Sequence, residues 1–139
     1  MRWCPCGSTS RLVWSKNPRR KRGCIYEVGY YACRMPLANK KLGVLISVPP
    51  DHPNFTHGVC LAEAALAQGV DVYLYCIDEA VQGLGDPRLR ELEADGLKLF
   101  ACAYGAQRRN VPMSEQATFS GLGILSDVIA SADRFVSFN

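Results

Sequence analysis

The chain has 139 residues, 48% of them hydrophobic and 21% charged. This length allows one domain whose core needs neither metal nor disulfide, and the composition is that of an ordinary soluble globular chain. No apolar run approaches the ~18 residues that span a bilayer, and the basic N-terminus lacks the apolar stretch of a signal peptide. No membrane role is expected, and the expected compartment is the cytoplasm.

The net charge of +3 conceals an asymmetry. Residues 1–41 hold ten Lys/Arg and one acid, a balance of +9, whereas residues 42–139 hold six and twelve, a balance of −6. So sharp a change marks a boundary. Residues 1–40 are read as a basic leader and residues 41–139 as the domain. The leader shows no helical or strand period and contains the self-repelling run Arg19-Arg20-Lys21-Arg22. It is expected to be an unfolded tail or a mis-assigned start, since Met35 lies shortly before the first strand. Of seven cysteines, four lie here, at 4, 6, 24 and 33. Their spacing is poor for zinc, which usually takes ligand pairs two to four residues apart. The basic leader is also weak evidence for nucleic acid, which is not an expected partner.

Within the domain, Lys41–Val48 is a nearly continuous apolar run, suited to a parallel strand buried on both faces. Pro49-Pro50 ends it. Phe55, Val59, Ala62 and Leu66 then recur at helical spacing up to Gly69. Val70–Ile77 reads as a second strand. Asp78-Glu79 reads as a solvated turn. Asp86-Pro87 starts a helix, the Asp capping and the Pro preset for the first turn, with Leu89 and Leu92 facing inward and Asp95-Gly96 stopping it. Leu97–Ala103 is a third strand and Thr118-Phe119 a short fourth. Ser120 is expected to cap a helix with the apolar stripe Leu125, Val128, Ile129, Ala132. Arg134–Phe138 is the last strand. Alternating strands and helices imply a three-layer α/β/α sandwich around a mainly parallel sheet of four or five strands.

Function in such sheets gathers at the carboxyl ends of strands. Cys102 ends the third strand where the chain turns toward a helix. Backbone N–H groups there favour an anion, and Arg108 and Arg109 add positive potential if the turn folds back. Both effects favour thiolate, the nucleophilic form. Small neighbours, Ala101, Ala103, Gly105 and Ala106, leave room for a reactant. On these features alone a buried, inert cysteine is still the commoner outcome. Cys76 and Cys60 read as packing. His52 and His57 could be bases or metal ligands, but two loop histidines are more often surface residues. Arg134 reads as a partner of Asp133 or of solvent. Neither G-x-G-x-x-G nor G-x-x-x-x-G-K-[ST] occurs, which weighs against a flavin or nucleotide binder. Ser120-Gly-Leu-Gly123 could hold an anion or simply allow close helix packing.

Leu99-Phe-Ala-Cys102-Ala-Tyr-Gly-Ala-Gln-Arg108-Arg109-Asn-Val111 resembles the cysteine segment of the DsrE/TusD-like sulfur-relay family. Phe119-Ser-Gly-Leu-Gly-Ile-Leu125 and Asp133–Phe138 resemble that family's closing helix and strand. The likeness runs over residues 41–139. Asn110 stands where the family usually has Gly, and Asn tolerates a left-handed turn. The resemblance implies a DsrE-like fold and a sulfurtransferase-type carrier holding sulfane sulfur as a persulfide on Cys102. Arg108 and Arg109 match the family's paired arginines, and Tyr104 and Ser120 are possible supporting residues. It implies no metal or organic cofactor, sulfur-donor and sulfur-acceptor proteins as partners, and a homo- or hetero-oligomer (trimer or hexamer). The alternative is a non-catalytic DsrE-like subunit or binding module in which Cys102 is ordinary.

Overall fold

The computed structural model describes residues 37, 39–113, 115 and 117–139. The readings made for residues 1–36 (zinc on Cys4, Cys6, Cys24 and Cys33, a basic patch, a tail or mis-assigned start) lie outside the described residues.

In chain order the elements are β1 (Lys41–Ile46), α1 (Pro53–Leu66), β2 (Asp71–Cys76), a 3-10 segment (Asp78–Gly85), α2 (Pro87–Ala94), β3 (Lys98–Cys102), α3 (Ala103–Arg108), β4 (Thr118–Ser120), α4 (Leu122–Ser131) and β5 (Arg134–Phe138). The strands form one sheet in the order β4-β3-β2-β1-β5, and every pairing is parallel. Helices cover both faces, so the three-layer α/β sandwich expected from the sequence is what forms.

Side chains alternate across a strand, and the glycines show which helix covers which face. Gly58 of α1 lies directly against Ile46, whereas Gly43, three residues before Ile46, lies against Phe135 of β5 and Val128 of α4. The face carrying Val44, Ile46, Val72, Leu74 and Cys76 is therefore packed by α1, with α2 beside α1. These five side chains are fully buried, which suits strands read as continuous apolar runs; burial of each large one stabilises the fold by about 1.5–3 kcal/mol.

Local chemistry sets the helix ends. His52 accepts the Asn54 N–H at 3.1 Å and Pro53 opens α1. Asp86 accepts the Arg88 N–H at 2.9 Å and also holds the Arg88 guanidinium, with Pro87 opening α2. Gly69 and Gly96 take positive φ (76° and 104°) just beyond α1 and α2. Asn110 does so after α3, at φ 55°, the left-handed turn for which an Asn in place of Gly is suited.

Three expectations need correction. Ser120 belongs to β4 and does not cap α4; Gly121 holds the cap position, with no side-chain hydrogen bond. The stripe of α4 is not buried as a unit: Val128 is buried, whereas Ile129 is exposed. The stretch after β2 is not simply a solvated turn. It is a 3-10 segment that buries Ala80, Val81 and Leu84, an apolar set too short for periodicity to reveal.

Candidate active site at the end of the third strand

Cys102 is the last residue of β3 and the N-cap of α3. A strand residue must turn here, so its side chain is fixed at the sheet's carboxyl edge, and its Sγ accepts the N–H of Gly105 at 3.4 Å. A Cβ at position 105 would come within 3.3 Å of the Asp78 backbone nitrogen and 3.5 Å of the Cys102 Cβ. The missing side chain thus lets α3 close down on the 3-10 segment.

A cavity of about 350 Å³ opens at this corner, walled by three parts of the chain. Cys102, Tyr104, Gly105 and Arg108 come from the end of β3 and from α3. Ile77 and Asp78 follow β2, and Gly121 and Leu122 open α4. Cys102 is only 6% exposed, so its sulfur is reached through this cavity and not across open surface. Two apolar or aromatic lining residues face solvent, Tyr104 at 71% exposed and Leu122 at 58%, and the charged Asp78 and Arg108 are exposed beside them.

The two adjacent arginines diverge. Arg109 donates to Asp78 Oδ1 at 2.6 Å and to Glu79 Oε1 at 3.0 Å, tying α3 to the 3-10 segment. The Asp78 hydrogen bond, followed by that to Glu79, holds the guanidinium still more firmly in its charged form. Asp78 takes φ 51° to present its carboxylate. Arg108 lines the cavity, is exposed, and makes no ion pair among the described residues. Of the residues singled out from the sequence, the structure therefore gathers Cys102, Tyr104 and Arg108 around one cavity and assigns Arg109 to an ionic clamp beside it. Ser120 is the register partner of Cys102 on β4. Its Oγ is buried and has no hydrogen-bond partner among the described residues.

Other candidates lie elsewhere. Cys76 is fully buried, and burial pushes its thiol up to about 12, as befits a packing residue. His52 caps α1, and His57 is exposed on the same helix. The Arg134 guanidinium donates to the Asp133 carbonyl at 2.7 Å, while the Asp133 carboxylate takes Lys40 Nζ and the Lys41 N–H, both at 2.9 Å.

Sequence reasoning missed Tyr75. Its side chain is fully buried, and its hydroxyl donates toward the carbonyls of Ser120 and Gly121, each at 3.2 Å. The available signal was a phenol inside an apolar strand, because a buried tyrosine hydroxyl needs a partner.

The sequence profile of the DsrE/DsrF-like family matches residues 40–138. The chain belongs to the DsrE/DsrF-like family. Sulfur relay is the activity with which DsrE/DsrF-like proteins are generally associated. The fold of this DsrE/DsrF-like chain is also similar to the crystal structure of the ychN protein from E. coli, with a TM-score of 0.62 and 20% sequence identity, over 71% of this chain and 99% of that one. No curated protein matches it. Among the described residues no helix is long and apolar enough to cross a membrane.

Proposed function

We propose that this DsrE/DsrF-like protein is a sulfurtransferase-type carrier that holds sulfane sulfur as a persulfide on Cys102. It takes the sulfur from one protein and passes it to another in the cytoplasm, as an oligomer whose working unit is the domain of residues 41–139. The observation that carries this reading is the position of Cys102: its sulfur is the one cysteine sulfur among the described residues that lines the cavity. The cavity is far larger than a single sulfur atom, and the exposed Tyr104 and Leu122 beside it suit the approach of another chain.

The chemistry follows from the groups present. The Cys102 thiolate attacks the outer sulfur of a donor persulfide. The new S–S bond forms as the donor's own S–S bond breaks, and the donor leaves as thiolate. An acceptor thiolate then attacks the outer sulfur on Cys102, and Cys102 leaves as thiolate; no net oxidation occurs. Each transfer is helped when the sulfur anion is stabilised, as attacker or as leaving group. The Gly105 N–H supplies one such hydrogen bond. Arg108 supplies the mobile positive charge, because Arg109 is already committed to Asp78 and Glu79.

The low exposure of Cys102 favours a second reading, a non-catalytic subunit in which this sulfur merely packs. Incubation with a persulfide whose outer sulfur is radiolabelled separates the two. The carrier reading predicts that label binds to the protein, is released by an added thiol acceptor, and fails to bind the Cys102→Ser variant. Equal labelling of wild type and Cys102→Ser would overturn it in favour of the packing role.

A further inference from the structure

The register of the sheet places a second functional group against Cys102. Tyr75 on β2 pairs with Phe100 on β3, and Phe100 lies two residues before Cys102, so all three share one face of the sheet. The Tyr75 hydroxyl nevertheless reaches the carbonyls of Ser120 and Gly121, at the end of β4. Since β3 lies between β2 and β4, the phenol ring must cross β3 on the side where Cys102 projects. Ser120, beneath the hydroxyl, is the register partner of Cys102. The hydroxyl therefore lies on the face of the sheet that carries the Cys102 side chain, at the carbonyl of that residue's register partner.

We propose that Tyr75 is a catalytic hydrogen-bond donor to Cys102, holding the sulfur when it is a thiolate and releasing it when it is a thiol or persulfide. The functional meaning of this role rests on the carrier reading above. A phenol has one proton to give. With Cys102 uncharged, that proton points to the Ser120 and Gly121 carbonyls. When Cys102 is a thiolate, whether before attack or on leaving, rotation about the C–O bond turns the proton to the sulfur. No proton is transferred and the phenol stays neutral. Burial, the largest influence, raises the Tyr75 phenol above its ordinary value and so keeps its proton in place. The Ser120 Oγ is buried on the same residue whose carbonyl the hydroxyl meets.

Among the described residues, the remaining charged and titratable groups at this cavity are few. They are Asp78 after β2, with Glu79, both held by Arg109, and Tyr104 and Arg108 on α3.

The test is the pH dependence of Cys102 alkylation by iodoacetamide, followed on the Cys102 peptide by mass spectrometry. Tyr75→Phe removes the hydroxyl and keeps the ring, and it should move the midpoint up by about one pH unit, the scale of one hydrogen bond to a charged group. Tyr73→Phe, whose hydroxyl instead takes Lys98 Nζ at 2.9 Å, should leave the midpoint in place. An unmoved midpoint in folded Tyr75→Phe overturns the proposal. Should Tyr75→Phe fail to fold, fluorotyrosine installed at position 75 keeps the hydroxyl and makes it a stronger donor; the midpoint must then fall, and an unchanged one overturns the proposal. Sulfur loading distinguishes this claim from the one it rests on. A wild type that takes up no sulfur sinks the carrier reading even if Tyr75→Phe shifts the midpoint. A wild type that loads sulfur, with a midpoint indifferent to Tyr75, sinks only the hydrogen bond.

Discussion

Cys76 and Cys102 end neighbouring parallel strands, yet they have opposite fates. Cys76 pairs with Ala101, so Cys102 stands one residue beyond that register. In a pleated strand one residue is a change of face. Cys76 falls on the side packed by α1 and is sealed there, its thiol pushed up to about 12 by burial. Cys102 falls on the other side, at the last position before the chain turns into α3, and meets a cavity. The two residues have the same chemistry and nearly the same depth. What separates them is which side of the sheet they face and whether the backbone turns in time to offer an N–H.

The sharpest way to break this contrast is to exchange sulfur for oxygen at each end. Cys102→Ser should lose persulfide loading completely while its melting temperature holds or rises, because serine is a good helix N-cap. Cys76→Ser should do the reverse. It places a hydroxyl among apolar side chains, which costs about 1–3 kcal/mol in urea denaturation if the hydroxyl finds no partner, and sulfur loading should persist. Loading lost at position 76 and kept at position 102 would reverse the assignment.

A second pair sharpens the account of charge at the open end. Arg108→Ala should slow sulfur uptake by roughly 10-fold, the scale of one charge-assisted contact, with unchanged thermal stability. Arg109→Ala should lower the melting temperature by a few degrees, since it releases Asp78 and Glu79 from α3. If both variants behaved alike in uptake and in melting, the division between a mobile charge and a clamp would be wrong.

The smallest effect is expected far from either cysteine, at the α2 cap. Asp86→Ala should cost about 1 kcal/mol. Hydrogen bonding from Arg88 holds the Asp86 carboxyl below the ordinary carboxylate value. Its contribution is therefore complete above the unfolded value of about 3.9 and is lost as pH falls through the lowered folded value. Denaturation curves of wild type and Asp86→Asn should converge in that acidic range, with sulfur loading at neutral pH unaffected in both.

Much of this was legible in the residues, and the gaps have physical causes. The buried strands announced themselves as apolar runs, and α2 by its Asp-Pro start, because those signals are local. Cys102 was singled out by its place at a strand end followed by small residues and arginines. The different placements of Arg108 and Arg109 were not legible: adjacent side chains at the end of a short helix point to different neighbours, and the partners of Arg109 lie about thirty positions earlier. Tyr75 was hidden for the same reason. Its relation to Cys102 exists only through the strand order that lays β3 between β2 and β4. Ser120 looked like a helix cap because its neighbours read that way, but pairing with Cys102 drew it into β4 instead.

The most direct test of the central claim is peptide-resolved mass spectrometry of the wild-type protein after brief exposure to a persulfide donor, with both strand-end cysteines read in one digest. The account predicts the added mass of one sulfur atom on the Cys102 peptide and none on the Cys76 peptide. Sulfur on both peptides alike, or on neither, would contradict it.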